Sequence, residues 1–266
     1  MAGDGMINLQ PIEYLLKLAV VTPFIQREKP VSVMLIAPPE HGKSEVLKKF
    51  AFVDSVAIAT NFDSYVFSEI ALQYPNKRTI IIPDFLRITK RKYSTQSNAL
   101  TILNALTEEG WIGKLPLGQS IQKPIVMNVL TALTKDELRD KRHKWATIGF
   151  LSRFVPVTYS YKEETIKQIR NYIKDRIYRV DEPYNGNFLP KNDVDVILPK
   201  EVAEMIESIV LDISEEENIL GFRLQRQLQT LAMANAILNG RNIVQKEDYL
   251  VIKELSKFIN FKFTEV

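Results

Sequence analysis

The chain has no cysteine and only two histidines among its 266 residues. The absence of cysteine excludes disulfides, thiolate metal sites and cysteine nucleophiles, and two histidines leave little material for a zinc site. Long hydrophobic runs are missing too. The stretch 15–24 is interrupted by Lys17 and Pro23 and is too short to span a bilayer. No cleavable signal pattern precedes it, so we expect a cytoplasmic protein with no membrane association.

The excess of positive charge is small, because 35 lysines and arginines oppose 32 acidic residues and give a net charge of +3. Such a value does not by itself indicate nucleic-acid binding. Local clusters carry more information. The segment "RITKRK", residues 87–92, contains four cations, and residues 135–144 end in a basic run. Clusters of this kind occur both on solvated surfaces and at nucleic-acid contacts.

Short apolar runs rich in β-branched residues alternate with longer helical patterns in the first half of the chain. Their nearly continuous apolar character is typical of parallel strands that are buried on both faces, with helices between them. The sequence therefore predicts an α/β fold with a three-layer αβα arrangement around a parallel sheet. The predicted strands cover residues 31–36, 56–60, 78–84, 124–131 and 155–161.

The second half of the chain lacks strand patterns after residue 161, and a Pro-, Asn- and Gly-rich connection at 178–196 interrupts its helices. We therefore predict two domains, a nucleotide-binding α/β domain at 1–161 and a small all-helical domain at 162–266. An amphipathic segment at 9–26 is expected to pack on the flank of the sheet. Helical patterns cover residues 162–177, 199–213, 221–238 and 245–258.

The clearest motif is "APPEHGKS", which ends in Gly42-Lys43-Ser44 as the phosphate-binding P-loop G-x-x-x-x-G-K-[ST] does. The glycine lets the backbone approach a phosphate, the lysine supplies a positive charge for the β- and γ-phosphates, and the serine hydroxyl can ligate Mg²⁺. Ala37 stands where the motif has its first glycine, and two prolines remove N–H donors. The predicted nucleotide-binding residues are Ala37, Pro38, Pro39, Glu40, His41, Gly42, Lys43, Ser44 and Glu45.

A second motif, "RTIIIPDF", ends an apolar run in Asp84. In a parallel sheet this carboxylate would lie at the edge where the strands end, beside the P-loop, where it can hold Mg²⁺ through water. The two motifs together predict ATP with Mg²⁺ as the ligand, with Ser44 and Asp84 as the metal-binding residues.

The chain resembles the AAA+ ATPase superfamily in both halves. Residues 94–134, which contain Glu-Glu-Gly, are similar to a region of MoxR-type, magnesium-chelatase-like and enhancer-binding members. In those proteins a helix, a hairpin and a strand with the sensor 1 residue follow one another. By its position at the end of a strand, Thr131 is the candidate for sensor 1, and Asn128 is the second choice.

The same resemblance implies roles for arginines in two segments of the chain. The stretch "GFLSRFVPV" is similar to the segment that presents an arginine finger to the neighbouring subunit in minichromosome-maintenance helicases and MoxR proteins, and it implies Arg153. A guanidinium inserted in trans stabilises the charge on the transferred phosphoryl group. Residues 221–255 resemble the AAA+ lid, whose sensor 2 arginine reaches back to the phosphates. Arg223 matches best, and Arg226 is the alternative.

The chain departs from this pattern at Phe85, where the superfamily usually has a glutamate that orients the attacking water. A phenyl ring can neither accept a proton nor position water. Hydrolysis is therefore expected to be slow or to use another carboxylate, for which Glu40, Glu108 and Glu109 are the candidates.

The resemblance implies a nucleotide at a subunit boundary and therefore a homo-oligomeric, hexamer-like ring. Three functions fit. The favoured one is an ATPase that works on nucleic acid, of the replication, helicase-loader or mobile-element type. The others are a MoxR-like chaperone that remodels a protein partner, and an ATP-binding scaffold or switch with weak hydrolysis. The predicted nucleic-acid contacts are Arg87, Lys90, Arg91, Lys92, Trp111 and Lys114.

Overall fold

The computed structural model describes residues 8–116, 118–175, 182–217 and 219–261. Its strands form a five-stranded parallel sheet in the order β2-β3-β6-β1-β7 and a separate antiparallel hairpin, β4-β5. The strands are β1 (Ser32–Ile36), β2 (Val56–Ile58), β3 (Thr79–Ile82), β4 (Trp111–Lys114), β5 (Ser120–Ile125), β6 (Asn128–Leu133) and β7 (Phe154–Thr158). The parallel sheet confirms the predicted α/β class.

One predicted strand is wrong in detail. The run 124–131 does not form a single element, because its first residues belong to the hairpin strand β5 and the sheet strand β6 begins only at Asn128. β6 then continues to Leu133, two residues beyond the predicted end. This shift changes which side chains stand at the edge of the sheet where the strands end, called here the carboxyl edge.

Helices occur before, between and after the strands of the sheet along the chain. They are α1 (Gln10–Val21), α2 (Lys43–Lys48), α3 (Ser64–Ala71), α4 (Leu86–Thr89), α5 (Tyr93–Thr107), α6 (Lys135–Thr147) and α7 (Glu163–Lys174). The predicted end of α7, residues 176–177, lies outside the described residues. The last three are α8 (Lys200–Glu217), α9 (Phe222–Leu238) and α10 (Lys246–Ser256).

Alternation along β1 separates two hydrophobic cores, one on each face of the sheet. Val33 and Leu35 pack with α1 and α2, whereas Met34 and Ile36 pack with α3 and α5. Successive side chains of a strand point to opposite faces, so a strand that is buried on both faces requires a helical layer on each. The arrangement is that of a three-layer αβα domain.

Helix α1 is buried on more than one side, which a helix on the flank of a sheet would not be. Leu15, Leu16 and Leu18 are fully buried, and the helix packs on α9 as well as on β1 and β6. The Tyr14 hydroxyl also donates to Asn235 Oδ1 in α9, at 2.5 Å. Residues of α8, α9 and α10 therefore share one core with the sheet. No helix in the described ranges has the length and apolar character to cross a membrane.

Candidate nucleotide site and arginine cluster

The loop between β1 and α2 has two residues in the left-handed region, Glu40 with φ 62° and Gly42 with φ 71°. Gly42 adopts it freely because it lacks a Cβ atom, whereas Glu40 is a non-glycine residue in a sparsely populated conformation. Ala37 does not have a positive φ, and it is fully buried. Alanine in place of the motif's first glycine therefore costs the loop no backbone strain.

Lys43 lies over this loop. Its Nζ donates to the Ala37 and Pro38 carbonyls at 2.7 and 2.6 Å. Burial lowers the pKa of Lys43, while the charges of Glu137 and Asp84 act in the opposite direction. The ammonium is thus held at the loop, with two carboxylates close enough to influence it.

A cavity of about 320 Å³ opens at the carboxyl edge beside Lys43. One strand, β6, separates the P-loop strand from the strand that precedes Asp84, yet both motifs reach this cavity. The Ser44 hydroxyl donates to the Pro83 carbonyl at 3.3 Å. The polar lining includes Lys43, Ser44, Asp84, Arg87, Thr134 and Glu137.

Asp84 is the carboxylate that the sequence predicts for the metal. It accepts from Leu86 N at 3.1 Å, and its other oxygen lies 3.4 Å from Arg87 Nε. A serine hydroxyl and a carboxylate are the hard oxygen donors that Mg²⁺ takes in small number, with phosphates and water completing the shell. Within the described ranges, no three acidic or histidine side chains cluster as a metal cage. The donors present therefore fit an ion shared with phosphates.

The two candidates for sensor 1 do not reach the cavity. Thr131 is fully buried and donates to the Ile82 carbonyl at 2.8 Å. Asn128 is also fully buried, and its amide donates to the Ala19 and Val31 carbonyls at the opposite end of β6. Because β6 ends later than predicted, the polar residue that follows it at the cavity is Thr134.

Glu137 is a cavity residue that sequence reasoning missed. Thr134 is the N-cap of α6, and its backbone N–H donates to Glu137 Oε2 at 2.7 Å while its hydroxyl accepts from Glu137 N at 3.4 Å. This is a capping box, for which "TKDE" has the pattern [ST]-x-x-E. The signal was therefore present in the sequence, although its position relative to the P-loop was not.

The expected replacements for the missing glutamate do not lie in the cavity. Phe85 is fully buried. Its ring meets Trp145 edge-to-face and stacks on Phe150, with ring centroids 5.4 and 5.5 Å away. Glu40 is exposed in the loop, and Glu108 belongs to a second cluster described next. Glu109 is exposed beside Glu108. In the part of the chain that the structure describes, Asp84 and Glu137 are the carboxylates that line the cavity.

Arg153 lies at the amino edge of the sheet, opposite the P-loop. It ends a 3₁₀ turn just before β7, whose first residue pairs with Ser32 at the start of β1. Its Nη1 donates to the Gly149 carbonyl, and its Nε is buried with no partner among the described residues. Burial and then the charge of Arg223 lower the pKa of Arg153, and the nearby acidic residues oppose this shift.

The predicted sensor 2 arginine, Arg223, does not lie at the cavity beside Lys43. It hydrogen-bonds the Ser152 hydroxyl and lies 3.6 Å from Glu108 Oε2, so it stands beside Arg153. The alternative, Arg226, pairs with Glu28 at 3.4 Å, in the segment before β1. Arg223 and Arg226 lie far from the loop between β1 and α2, because α9 begins at the amino edge of the sheet.

The surface beside these arginines is apolar and open. Leu220 and Phe222 are 81% and 74% exposed, and a cavity of about 660 Å³ lies between the start of α9 and Leu151. Isolated exposed apolar residues are ordinary, whereas contiguous exposed apolar patches are typical of protein contacts.

The predicted nucleic-acid contacts are partly engaged within the chain. Arg91 pairs with Asp63 at 3.0 Å, and Arg87 faces Asp84 in the cavity. The Trp111 ring is half-buried and packs edge-to-face with Phe67, with centroids 5.0 Å apart. Four of the six residues are exposed, namely Arg87, Lys90, Lys92 and Lys114, and of these Arg87 is paired with Asp84.

Comparison with known proteins gives no family for this chain. None of the protein-family models that were scanned matches the sequence. A search of the curated proteins also finds no match.

Proposed function

We propose that this protein is an ATPase of the AAA+ type, which binds ATP with Mg²⁺ at the cavity beside Lys43. The observation that carries the proposal is that Lys43, Ser44 and Asp84, from two separate motifs, line one cavity at the carboxyl edge. That edge is where parallel α/β sheets bind their ligands.

The residues divide the work by their chemistry. Lys43 would exchange the Ala37 and Pro38 carbonyls for phosphate oxygens, which are stronger acceptors for an ammonium group. Ser44 and Asp84 would hold Mg²⁺, Asp84 after releasing Arg87. When bound, the ion neutralises part of the charge on the β- and γ-phosphates. Thr134 is the polar group at the end of β6 that would contact the γ-phosphate or the water beside it.

The position of Arg153 supports an assembly of several copies. A five-residue strand such as β1 is about 16 Å long, so the amino and carboxyl edges are separated by at least that distance. Arg153 could therefore act only on a nucleotide bound by another copy. Head-to-tail contacts that close produce rings. The exposed Leu220 and Phe222 would be covered in such a contact.

A role on nucleic acid rests on the exposed lysines at 90, 92 and 114, because the other predicted contacts are engaged within the chain. One observation favours a protein partner instead. Ile112 on the hairpin is 57% exposed next to Lys114. A hairpin that presents an apolar side chain suits the alternative of a protein-remodelling ATPase.

Steady-state phosphate release from ATP and Mg²⁺ tests the proposal, measured with and without single-stranded and duplex DNA. We expect turnover in the wild type and its loss in Lys43→Ala, whereas Lys257→Ala, a distant surface control, should match the wild type. Stimulation by DNA would support the nucleic-acid role. ATP binding without turnover would favour the switch, and no ATP binding at all would contradict the proposal.

A further inference from the structure

We propose that Glu137 is the carboxylate that activates the attacking water, an inference that rests on the proposed ATPase function. The position after Asp84 cannot supply this group. Phe85 is enclosed by Trp145 and Phe150, and its backbone N–H is bonded to the Ala132 carbonyl at 3.0 Å. The water would otherwise have no base in this cavity.

Of the carboxylates that line the cavity, one remains to activate the water. Asp84 and Glu137 line it, and Asp84 is the residue placed beside the Ser44 hydroxyl for the metal ion. Glu137 comes from the first turn of α6, which follows β6, the strand between β1 and β3. Lys43 lines the same cavity as Glu137. Glu137 therefore lies near the group that would hold the γ-phosphate.

The capping box holds the Glu137 side chain in place and leaves hydrogen-bond acceptor positions on its carboxylate free. Glu137 Oε2 accepts from Thr134 N at 2.7 Å, which restricts the side chain to the start of α6. A carboxylate has two oxygens and about four acceptor positions, so this bond leaves capacity for a water molecule. A base that is held in place by a hydrogen bond of its own is the arrangement that general base catalysis requires.

The proposed step is balanced as follows. The water oxygen forms a bond to the γ-phosphorus while Glu137 takes one of the water's protons. The bond between the γ-phosphorus and the β–γ bridging oxygen breaks, and its electron pair leaves with ADP. Glu137 then gives its proton to the released phosphate or to solvent. The products are ADP and inorganic phosphate.

The substitution Glu137→Gln separates catalysis from structure. Glutamine at this position also completes a capping box, so α6 keeps its cap, but an amide cannot take the proton. Glu137→Ala removes both functions. Asp136→Asn is the matched control, because it removes a charge from the same helical turn at an exposed residue that pairs with Arg139.

Three measurements decide the matter: phosphate release, affinity for a fluorescent ATP analogue, and the nucleotide recovered after incubation with ATP and gel filtration. For Glu137→Gln we expect at least about a hundredfold slower release, since a general base contributes roughly 10²–10⁴-fold. Affinity should stay within about threefold, because a neutral side chain does not weaken phosphate binding. The variant should retain ATP, whereas the wild type and Asp136→Asn should retain ADP.

A Glu137→Gln variant that hydrolyses ATP at the wild-type rate, and retains ADP, would overturn the inference. The same conclusion holds if only Glu137→Ala is slow, because the capping box alone would then explain the loss. A wild type that binds ATP without turnover would also overturn it, while leaving nucleotide binding intact. Failure of the wild type and of Asp136→Asn to bind the analogue would instead contradict the proposed function itself.

Discussion

Asp248 links α10 and α9 to α1, and its removal gives the sharpest stability prediction. Asp248 is fully buried. It accepts from Asn235 Nδ2 at 2.6 Å, from two Arg241 nitrogens at 2.8 Å each, and from Gln245 N at 2.7 Å. Asn235 in turn accepts from Tyr14 of α1. One carboxylate thereby connects α10, α9 and α1.

Asp248→Ala should lower the free energy of unfolding by about 3–5 kcal/mol, the cost of breaking a buried ion pair by removing one partner. Tyr14→Phe removes only one hydrogen bond of the same network and should cost about 1 kcal/mol. Urea denaturation followed by circular dichroism measures both variants. An exposed pair such as Lys257 and Glu254 provides the control, because its loss should cost at most about 1 kcal/mol.

The pH dependence of this effect has a defined sign. Hydrogen bonds from Arg241, Gln245 and Asn235, together with the Arg241 charge, outweigh burial and lower the pKa of Asp248. A carboxyl with a lowered folded-state pKa stabilises the fold fully above its unfolded pKa of about 3.9, and this contribution is lost as pH falls through the folded-state value. The difference between wild type and Asp248→Ala should therefore be constant near neutral pH and shrink below about pH 4. A destabilisation of less than 1 kcal/mol at pH 7 would refute the reasoning.

Two further predictions concern the assembly and its partner. Arg153→Ala should still bind ATP but lose at least about tenfold in turnover. Mixing it with Lys43→Ala subunits should restore part of the activity if, as proposed, Arg153 acts on the nucleotide of another copy; absence of any recovery would contradict the shared site. Glu substitutions at Lys90, Lys92 and Lys114 together should weaken single-stranded DNA binding and flatten its dependence on salt, because fewer counterions are released; unchanged binding and slope would leave the protein-partner alternative.

The sheet and the P-loop could be predicted because both depend on local patterns. Apolar runs of β-branched residues marked the strands of the parallel sheet, and Gly42, Lys43 and Ser44 form a contiguous motif. Their meeting with Asp84 also followed from topology, because parallel strands end at the same edge.

The polar residues at the end of β6 were harder to assign, because an error of two residues in the end of the strand decides whether a side chain lies inside the sheet or beyond its edge. Thr131 looked terminal in the sequence, but its hydroxyl is bonded inside the sheet, and Thr134 occupies the cavity. Glu137 had a visible signal in its capping box. What the pattern could not supply was its distance in space from Lys43, which depends on the packing of α6.

Long-range packing explains the remaining differences. The direction of α9 brings Arg223 to Glu108 and Ser152, a contact between residues separated by more than seventy positions that no local pattern encodes. The sequence predicts Trp111 as an exposed aromatic residue of the hairpin, yet its ring packs against Phe67 of α3. Charge and aromatic content locate candidate contacts, but only tertiary structure shows which of them are already engaged.

The central claim is that Lys43, Ser44 and Asp84 form one site for ATP and Mg²⁺, and a calorimetric titration with ATP tests it most directly. Binding should require Mg²⁺ for full affinity in the wild type. It should weaken at least about tenfold in Lys43→Ala and lose its Mg²⁺ dependence in Asp84→Asn, with each variant retaining the wild-type melting temperature within about 3 °C. Equal ATP affinity in the wild type and Lys43→Ala, with and without Mg²⁺, would contradict the claim.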